Sequence, residues 1–361
     1  MCVRLNKLEL SNIRNLRTVS LDLGGRFNVF TGANGSGKTS LLEAVHLLGL
    51  GRSFRAKSMQ QIISFGDNQC LVRAKLAASG TQLQDTWLAI EPAVGRSAQY
   101  RIGENSEKSA AAITKILPMQ LIDVNSHVLL EGGPSYRRQL IDWGVFHVEH
   151  SFLQAWRLLQ RAMKQRNAAL YLRQMPAEIW DETFVKYADI VDCARASYVQ
   201  RFAQIFSNLL AEMLGWMDLT VRYNRGWPTN QDLKEVLARS SSRDLGCGYT
   251  TAGPHRAEVE FLLNNKPARE VLSRGQIKIF VCIMLLARIY LLPYKQSIFL
   301  IDDLHAEFDK KNCKLFIHAL EKMECQVFIT GIEADLLRER LFGCDAKMFH
   351  VEQGSINECV A

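Results

Sequence analysis

Gly32-Ala33-Asn34-Gly35-Ser36-Gly37-Lys38-Thr39 follows the apolar stretch Phe27-Asn28-Val29-Phe30-Thr31 and leads into Ser40-Leu41-Leu42-Glu43-Ala44-Val45. Strand, glycine-rich loop, helix is the context in which this spacing cradles phosphates. Gly32, Gly35 and Gly37 permit a tight turn whose N–H groups face an anion. Lys38 is spaced to reach β- and γ-phosphates, and the Thr39 hydroxyl to ligate Mg²⁺. The helix that opens near Ser40 adds the positive end of its dipole. The segment predicts a nucleoside triphosphate site, with ATP and Mg²⁺ as the expected pair.

A second stretch completes such a site. Ile298-Phe299-Leu300-Ile301 is a short apolar run closed by Asp302-Asp303. This is the Walker B arrangement, a buried strand that delivers an acid near Mg²⁺, expected to lie beside the P-loop strand. Asp302 is assigned to the metal and Asp303 to orienting or deprotonating the attacking water. Before it stands Leu272-Ser273-Arg274-Gly275-Gln276, with Ser273 as the expected N-cap of a helix. The layout resembles the Leu-Ser-Gly-Gly-Gln signature of ABC-type ATPases, with Arg274 replacing the first glycine. In those ATPases the signature covers the γ-phosphate held by a second subunit. Ser273, Arg274, Gly275 and Gln276 are therefore assigned to the nucleotide of a second copy in a head-to-tail homodimer. Asp309 matches the D-loop aspartate. Gln120, after Ile116-Leu117-Pro118-Met119, matches the Q-loop glutamine that senses Mg²⁺ and the γ-phosphate. The position where transporter ATPases often carry His falls near Thr330, in Phe328-Ile329-Thr330-Gly331, and has none.

The patterning around these motifs changes twice. Leu5, Leu8 and Leu10, then Val19, Leu21 and Leu23, then Phe27, Val29 and Phe30 predict strands before the P-loop, and Cys70–Leu76 and Trp87–Ile90 predict more. From about Ser151 the period becomes helical. Phe152, Trp156, Leu159, Met163 and Leu170 share one face, Met175-Pro176 breaks the run, and Phe184, Tyr187, Val191, Ala194, Tyr198, Phe202, Ile205 and Leu209 form the next. Two long helices around a short turn make a hairpin over about 151–212, whose aromatic stripe is a packing seam. Ser240 to Gly248 is small and polar and reads as a connector. The fold class is α/β, with residues 1–125 as the N-terminal part of an ATPase head, 126–240 as a helical arm and 241–361 as the C-terminal part of the head.

Composition sets bounds. The 361 residues are 48% hydrophobic and 22% charged, as in folded proteins generally. No run reaches the ~20 apolar residues that span a bilayer, and the N-terminal stretch lacks the apolar core of a signal peptide, so a cytoplasmic protein without membrane partners is expected. Nine cysteines, with no Cys-x-x-Cys, argue against zinc and disulfide frameworks. The formal charge of +7 permits nucleic-acid binding without demanding it. Arg157, Arg161 and Lys164, together on one helical face, are candidate DNA contacts, and Arg137 and Arg138 are candidates for DNA and equally for a subunit or nucleotide contact.

With these pieces placed, the chain resembles the RecF family, bacterial recombination-mediator ATPases related to SMC proteins. The segments that carry the resemblance are Leu8–Asn15, the P-loop, Gly51–Arg55, Leu130–Arg138 with Asp142-Trp143-Gly144, Gly248–Arg256, the signature and Asp302-Asp303. The resemblance implies an SMC-like ABC-type head of two lobes with an inserted α-helical hairpin arm. It implies ATP-dependent dimerisation on single-stranded, gapped or junction DNA and slow hydrolysis as a release switch. It also implies work with RecR and RecO in loading RecA, in recombinational repair, replication-fork maintenance and the SOS response. Asp303 stands where many ABC-type ATPases carry Glu, one methylene longer, which agrees with slow turnover. An ABC-type transporter motor is the alternative, and the hairpin and absent His weigh against it. An ATP-binding scaffold without hydrolysis is the other, weakened by the intact Asp302-Asp303 pair.

Overall fold

Alternation of apolar and polar residues builds the first sheet. In β1 (Val3–Ile13) the buried positions include Leu5, Leu8, Leu10 and Ile13, and in β2 (Leu16–Asp22) they are Leu16, Val19 and Leu21. The computed structural model describes residues 3–78, 85–173, 175–216, 218–292, 297–304, 310–323, 325–332, 338–339, 341 and 345–359. It divides into two compact units, residues 1–126 with 294–361, and residues 127–293.

The chain enters the first unit through the β1–β2 hairpin. It continues through β3 (Phe27–Thr31), α1 (Lys38–Leu50), β4 (Leu71–Ala78), β5 (Trp87–Ala93), β6 (Arg96–Ile102), β7 (Asn105–Glu107), α2 (Ala111–Ile116) and β8 (Met119–Ile122). β2-β1-β4-β5-β6-β7 form an antiparallel sheet. Its inner face packs Leu8, Leu10, Val72, Leu88 and Ile90 against Leu41, Leu42, Val45 and Leu48 of α1. Fully burying each such side chain stabilises the fold by roughly 1.5–3 kcal/mol.

The second unit is helical. It holds α3 (Val128–Glu131), α4 (Pro134–Val148), α5 (Phe152–Leu172), α6 (Asp181–Leu214), β9 (Leu219–Asn224), α7 (Leu233–Cys247), β10 (Glu258–Leu263), β11 (Lys266–Pro267), α8 (Ala268–Val271) and α9 (Arg274–Tyr290). α5 and α6 form the expected hairpin. The seam differs in detail: Ala155, Ala162, Arg166 and Ala169 are buried on α5, whereas Trp156 and Met163 are only half-buried. Small residues let the helices approach and leave the large ones on the flank. Ser240 to Gly248 is no connector but the end of α7 with its cap. Asp232 caps the start by accepting the Lys234 N–H at 2.7 Å, and Gly248 closes the end at φ +76°. Fully buried Asp244 anchors this polar helix, accepting from Arg166 Nη1 at 2.8 Å and Thr251 Oγ1 at 2.6 Å. This compact unit extends past residue 240 to 293, because α9 packs on α6 through Phe206 and Phe280, with ring centroids 4.9 Å apart.

The chain then returns to the first unit through β12 (Ile298–Ile301), α10 (Lys310–Glu321), β13 (Gln326–Gly331), β14 (Ala346–Glu352) and β15 (Ser355–Glu358). The second sheet has the order β15-β14-β3-β13-β12-β8, parallel except for β15. β13 therefore lies between the P-loop strand β3 and the Walker B strand β12, which are not neighbours as expected. Both sheets of this unit are joined by the side chain of Gln326. It accepts the Leu5 N–H at 2.8 Å and donates to Leu5 O at 2.7 Å.

Candidate functional site

Open parallel sheets bind ligands beyond the carboxyl ends of their strands, and three such ends meet in the first unit. β3 runs into the glycine loop. Gly32 sits at φ +151°, where an added Cβ would lie 2.2 Å from Val351 O, so no side chain fits. Lys38 is nearly buried, and its Nζ donates to Gly32 O and Ala33 O, both at 2.8 Å. Burial holds its ammonium below the ordinary lysine value, with the charges of Asp303 and Asp302 pulling the other way.

The β1–β2 hairpin braces this loop. Asn15 Nδ2 donates to Ser36 O at 3.0 Å, and Ser40 Oγ donates to Asn15 Oδ1 at 3.1 Å. Arg14 grips fully buried Glu43 of α1 through two bonds of 2.9 and 3.0 Å. Asn15 ends the Leu8–Asn15 segment that carries the resemblance but has no assigned role there, and Glu43 has none either. The proximity of the Asn12–Asn15 turn to the loop was the missing signal.

β12 brings Asp302 to the same place. Thr39 Oγ1 donates to Asp302 Oδ1 at 3.0 Å, and Thr330 Oγ1 donates to the same oxygen at 2.8 Å. Burial pushes the Asp302 carboxyl up, against the hydrogen bonds of Thr330 and Thr39 and the charge of Arg55, while Asp303 pushes it further. A cavity of about 670 Å³ opens over these groups, lined by Asn34, Gly35, Gly37, Lys38, Thr39 and Ser40 of the loop together with Asp302, Asp303 and Thr330. That is the size range of nucleotide and cofactor sites. Arg14, Asn15, Arg55, Gln61, Ile63, Phe65, Val124 and Ile332 complete the lining, and Phe65 is 98% exposed. The donor set suits Mg²⁺: one hydroxyl and one carboxylate leave the remaining positions to phosphate oxygens and water.

The structure thus brings Lys38, Thr39, Ser40, Asp302 and Asp303 into one cavity. Gln120 is not part of it. It lies 1% exposed in mid-strand, in register with Phe299 of β12 and inside the sheet. The strand runs on past it to Ile122, and Val124 is the residue from this segment that lines the cavity. Asp309 falls outside the described residues. Ser273, Arg274, Gly275 and Gln276 open α9 in the second unit, where Ser273 Oγ accepts the Gln276 N–H at 3.4 Å and Gln276 Oε1 accepts the Ser273 N–H at 2.9 Å.

Arg137 is buried and Arg138 half-buried, and both already tie parts of the second unit together. Arg137 pairs with Glu258 at 2.8 Å and donates to Leu130 O and Gly132 O, and Arg138 donates to Ala257 O at 2.7 Å. Asp142 pairs with Arg195 at 2.7 Å, and Arg195 also donates to Pro254 O at 2.7 Å. Trp143 lies under the Arg288 guanidinium at 4.2 Å. An added Cβ at Gly144 would meet the Tyr198 hydroxyl at 2.0 Å. Arg195 thus links the segments 130–144 and 248–256 inside the second unit. Arg157, Arg161 and Lys164 lie exposed on one face of α5.

A P-loop strand in a parallel sheet, a Walker B acid two strands away, an antiparallel sheet packed over α1 and a helical hairpin unit carrying a signature helix define an SMC-like ABC-type ATPase head. The chain belongs to the RecF family. The model of the RecF/RecN/SMC N-terminal domain matches residues 4–356. "DNA replication and repair protein RecF" of Pseudomonas aeruginosa (strain LESB58) is 40% identical over 98% of this chain and 97% of its own. A solved structure of the recombination mediator protein RecF with ATP in the RecFOR pathway superposes with a TM-score of 0.88 at 23% identity, over 99% of this chain and 98% of that one. An Smc head domain with an extended coiled coil from Pyrococcus furiosus gives a TM-score of 0.59 at 16% identity, over 99% and 96%. No helix among the described residues is long and apolar enough to cross a membrane.

Proposed function

We propose that the cavity binds ATP with Mg²⁺ and that ATP joins two copies of the chain head to tail on DNA. The observation that carries this reading is the convergence of Lys38, Thr39, Asp302 and Asp303 on one cavity. Lys38 leaves its two loop carbonyls for the β- and γ-phosphates, and the loop N–H groups take the remaining charge. Bound Mg²⁺, held by Thr39 and Asp302, supplies charge neutralisation to the phosphates. Asp303 orients the attacking water. Phe65 offers its open ring to the base. Ser273 and Gly275 of a second copy close the site over the γ-phosphate, with Arg274 beside them. Arg157, Arg161 and Lys164 of the arm contact DNA phosphates.

Hydrolysis is slow in this reading and releases the clamp. The short Asp303 side chain supports it. The family and the RecFOR relative support a role in recombinational repair and replication-fork maintenance. There the chain works with RecR and RecO to help load RecA and sustain the SOS response, in the cytoplasm.

Sedimentation with ATP and DNA added separately and together tests the reading. A dimer is expected with ATP, tightened by DNA. Lys38→Met is expected to remain monomeric throughout. Dimerisation of the Lys38→Met chain equal to the parent's excludes the ATP-joined dimer.

A further inference from the structure

Thr330 is the penultimate residue of β13, the strand that separates the P-loop strand from the Walker B strand. It is in register with Phe30 of β3, 1% exposed, and lines the nucleotide cavity. Its one hydroxyl serves both acids. Oγ1 donates to Asp302 Oδ1 at 2.8 Å and accepts the Asp303 N–H at 2.8 Å. Asp303 is held at φ +54°, in the left-handed region. Such a conformation is strained for a non-glycine residue and persists only where its surroundings enforce it. The bond from the Asp303 N–H to Thr330 is such an enforcement, and it acts at the residue whose direction matters most. A β-branched threonine in a strand has a stiff χ1, so its oxygen is a fixed point. Asp302 Oδ1 is meanwhile shared by Thr330 and Thr39, which fixes the rotation of that carboxylate.

We propose that Thr330 is a positioning residue for ATP hydrolysis: its hydroxyl locks the Asp303 backbone in the left-handed conformation that aims the Asp303 carboxylate into the cavity, and sets the orientation of Asp302 at the same time. The hydroxyl touches neither water nor phosphate in this role and acts through the two acids. The inference rests on the reading of the cavity as an ATP-hydrolysing site.

Two variants separate the hydroxyl from the shape of the side chain. Thr330→Val keeps the branched form and removes the hydroxyl, and Thr330→Ser keeps the hydroxyl. In Thr330→Val, kcat is expected to fall on the order of 10- to 100-fold, the range seen when the groups that hold a ligating residue are removed. KM, and ATP affinity measured with Mg²⁺ chelated, are expected to stay within about twofold, since the P-loop is untouched. Thr330→Ser is expected to keep most of the parental kcat. A kcat near the parent's in Thr330→Val, or an equal loss in both variants, overturns the proposal. A crystal structure of nucleotide-free Thr330→Val gives a readout independent of turnover. Asp303 is expected to leave the left-handed region, and retention of φ near +54° overturns the proposal whatever the rate. A parent chain that binds ATP but never hydrolyses it defeats the hydrolysis reading instead, and the crystal structure still decides the role of Thr330.

Discussion

The hydroxyl of Thr39 lies 3.0 Å from Oδ1 of Asp302, a residue 263 positions further along the chain. This bond joins the first helical turn after the glycine loop to the end of β12, and in the proposed reading it sets where a divalent cation would meet the triphosphate. Asp302→Asn keeps an acceptor for Thr39 but removes the charge. ATP affinity without Mg²⁺ is expected to stay within about twofold, and the gain in affinity on adding Mg²⁺ to disappear, with hydrolysis falling by roughly 100-fold or more. Titration calorimetry with and without Mg²⁺ checks it.

Phe65 is 98% exposed at the cavity and held by its neighbours, with Ser64 Oγ donating to Arg14 O at 2.7 Å and Arg17 donating to Phe65 O at 3.3 Å. Stacking of an aromatic ring on a base contributes about 1–3 kcal/mol. Phe65→Ala is expected to weaken ATP roughly 10-fold while leaving inorganic tripolyphosphate unaffected. Equal losses for both ligands in competition binding would place the ring at the phosphates instead.

Arg157, Arg161 and Lys164 project from one face of α5, and no salt bridge is recorded for them among the described residues. Each phosphate contact contributes about −0.9 to the slope of log K against log salt for duplex DNA. Replacing all three by Ala is expected to flatten that slope by about 2–3. A slope that stays put in fluorescence anisotropy would free this face of α5 from any DNA role.

Gly144 of α4 packs directly under the Tyr198 ring, with the space for a Cβ already taken by the hydroxyl and Cζ at 2.0 and 2.1 Å. Even one methyl group has nowhere to go. Gly144→Ala is expected to cost about 1–3 kcal/mol of stability, the usual range for overpacking. The midpoint of denaturant unfolding should drop accordingly, and a midpoint unchanged from the parent's would mean that α4 and α6 move apart freely.

Two histidines make the chain acid-sensitive. Burial pushes His46 down to about 4 and His147 down to about 3, the latter helped by the charge of Arg288. In the unfolded chain both titrate near 6.5. Below that pH the unfolded state takes up protons that the folded state refuses, so stability is full above about pH 6.5 and falls as the pH drops. Each histidine removes about 1.4 kcal/mol per pH unit. His147→Gln is expected to lower the slope of stability between about pH 6.5 and 5 by one histidine's share, measured by chemical unfolding across that range.

The convergence of the glycine loop and the Asp302-Asp303 pair on one cavity was legible because these residues come in contiguous motifs. Gly32 to Thr39 and Asp302-Asp303 read directly from spacing. What escaped was lateral. The insertion of β13 between β3 and β12 leaves no local trace, since Gln326 to Thr330 is only another apolar strand. Gln120 looked like a ligand because a polar residue after an apolar run resembles a strand end, yet the strand continues past it. Ser240 to Gly248 looked like a linker because its helix is held by buried Asp244 and a cap rather than by an apolar stripe. Arg137 and Arg138 looked like DNA contacts because sequence alone does not say which cations already have carboxylate or carbonyl partners.

β3 lies between β13 and β14, both drawn from residues 326–352. On the ribosome the P-loop strand therefore waits, without either neighbour, until nearly the whole chain has emerged. The segment 127–293, by contrast, is continuous and needs no later strand for its own core. Until residues 326–352 have been made, a new chain has neither strand that covers the two edges of apolar β3.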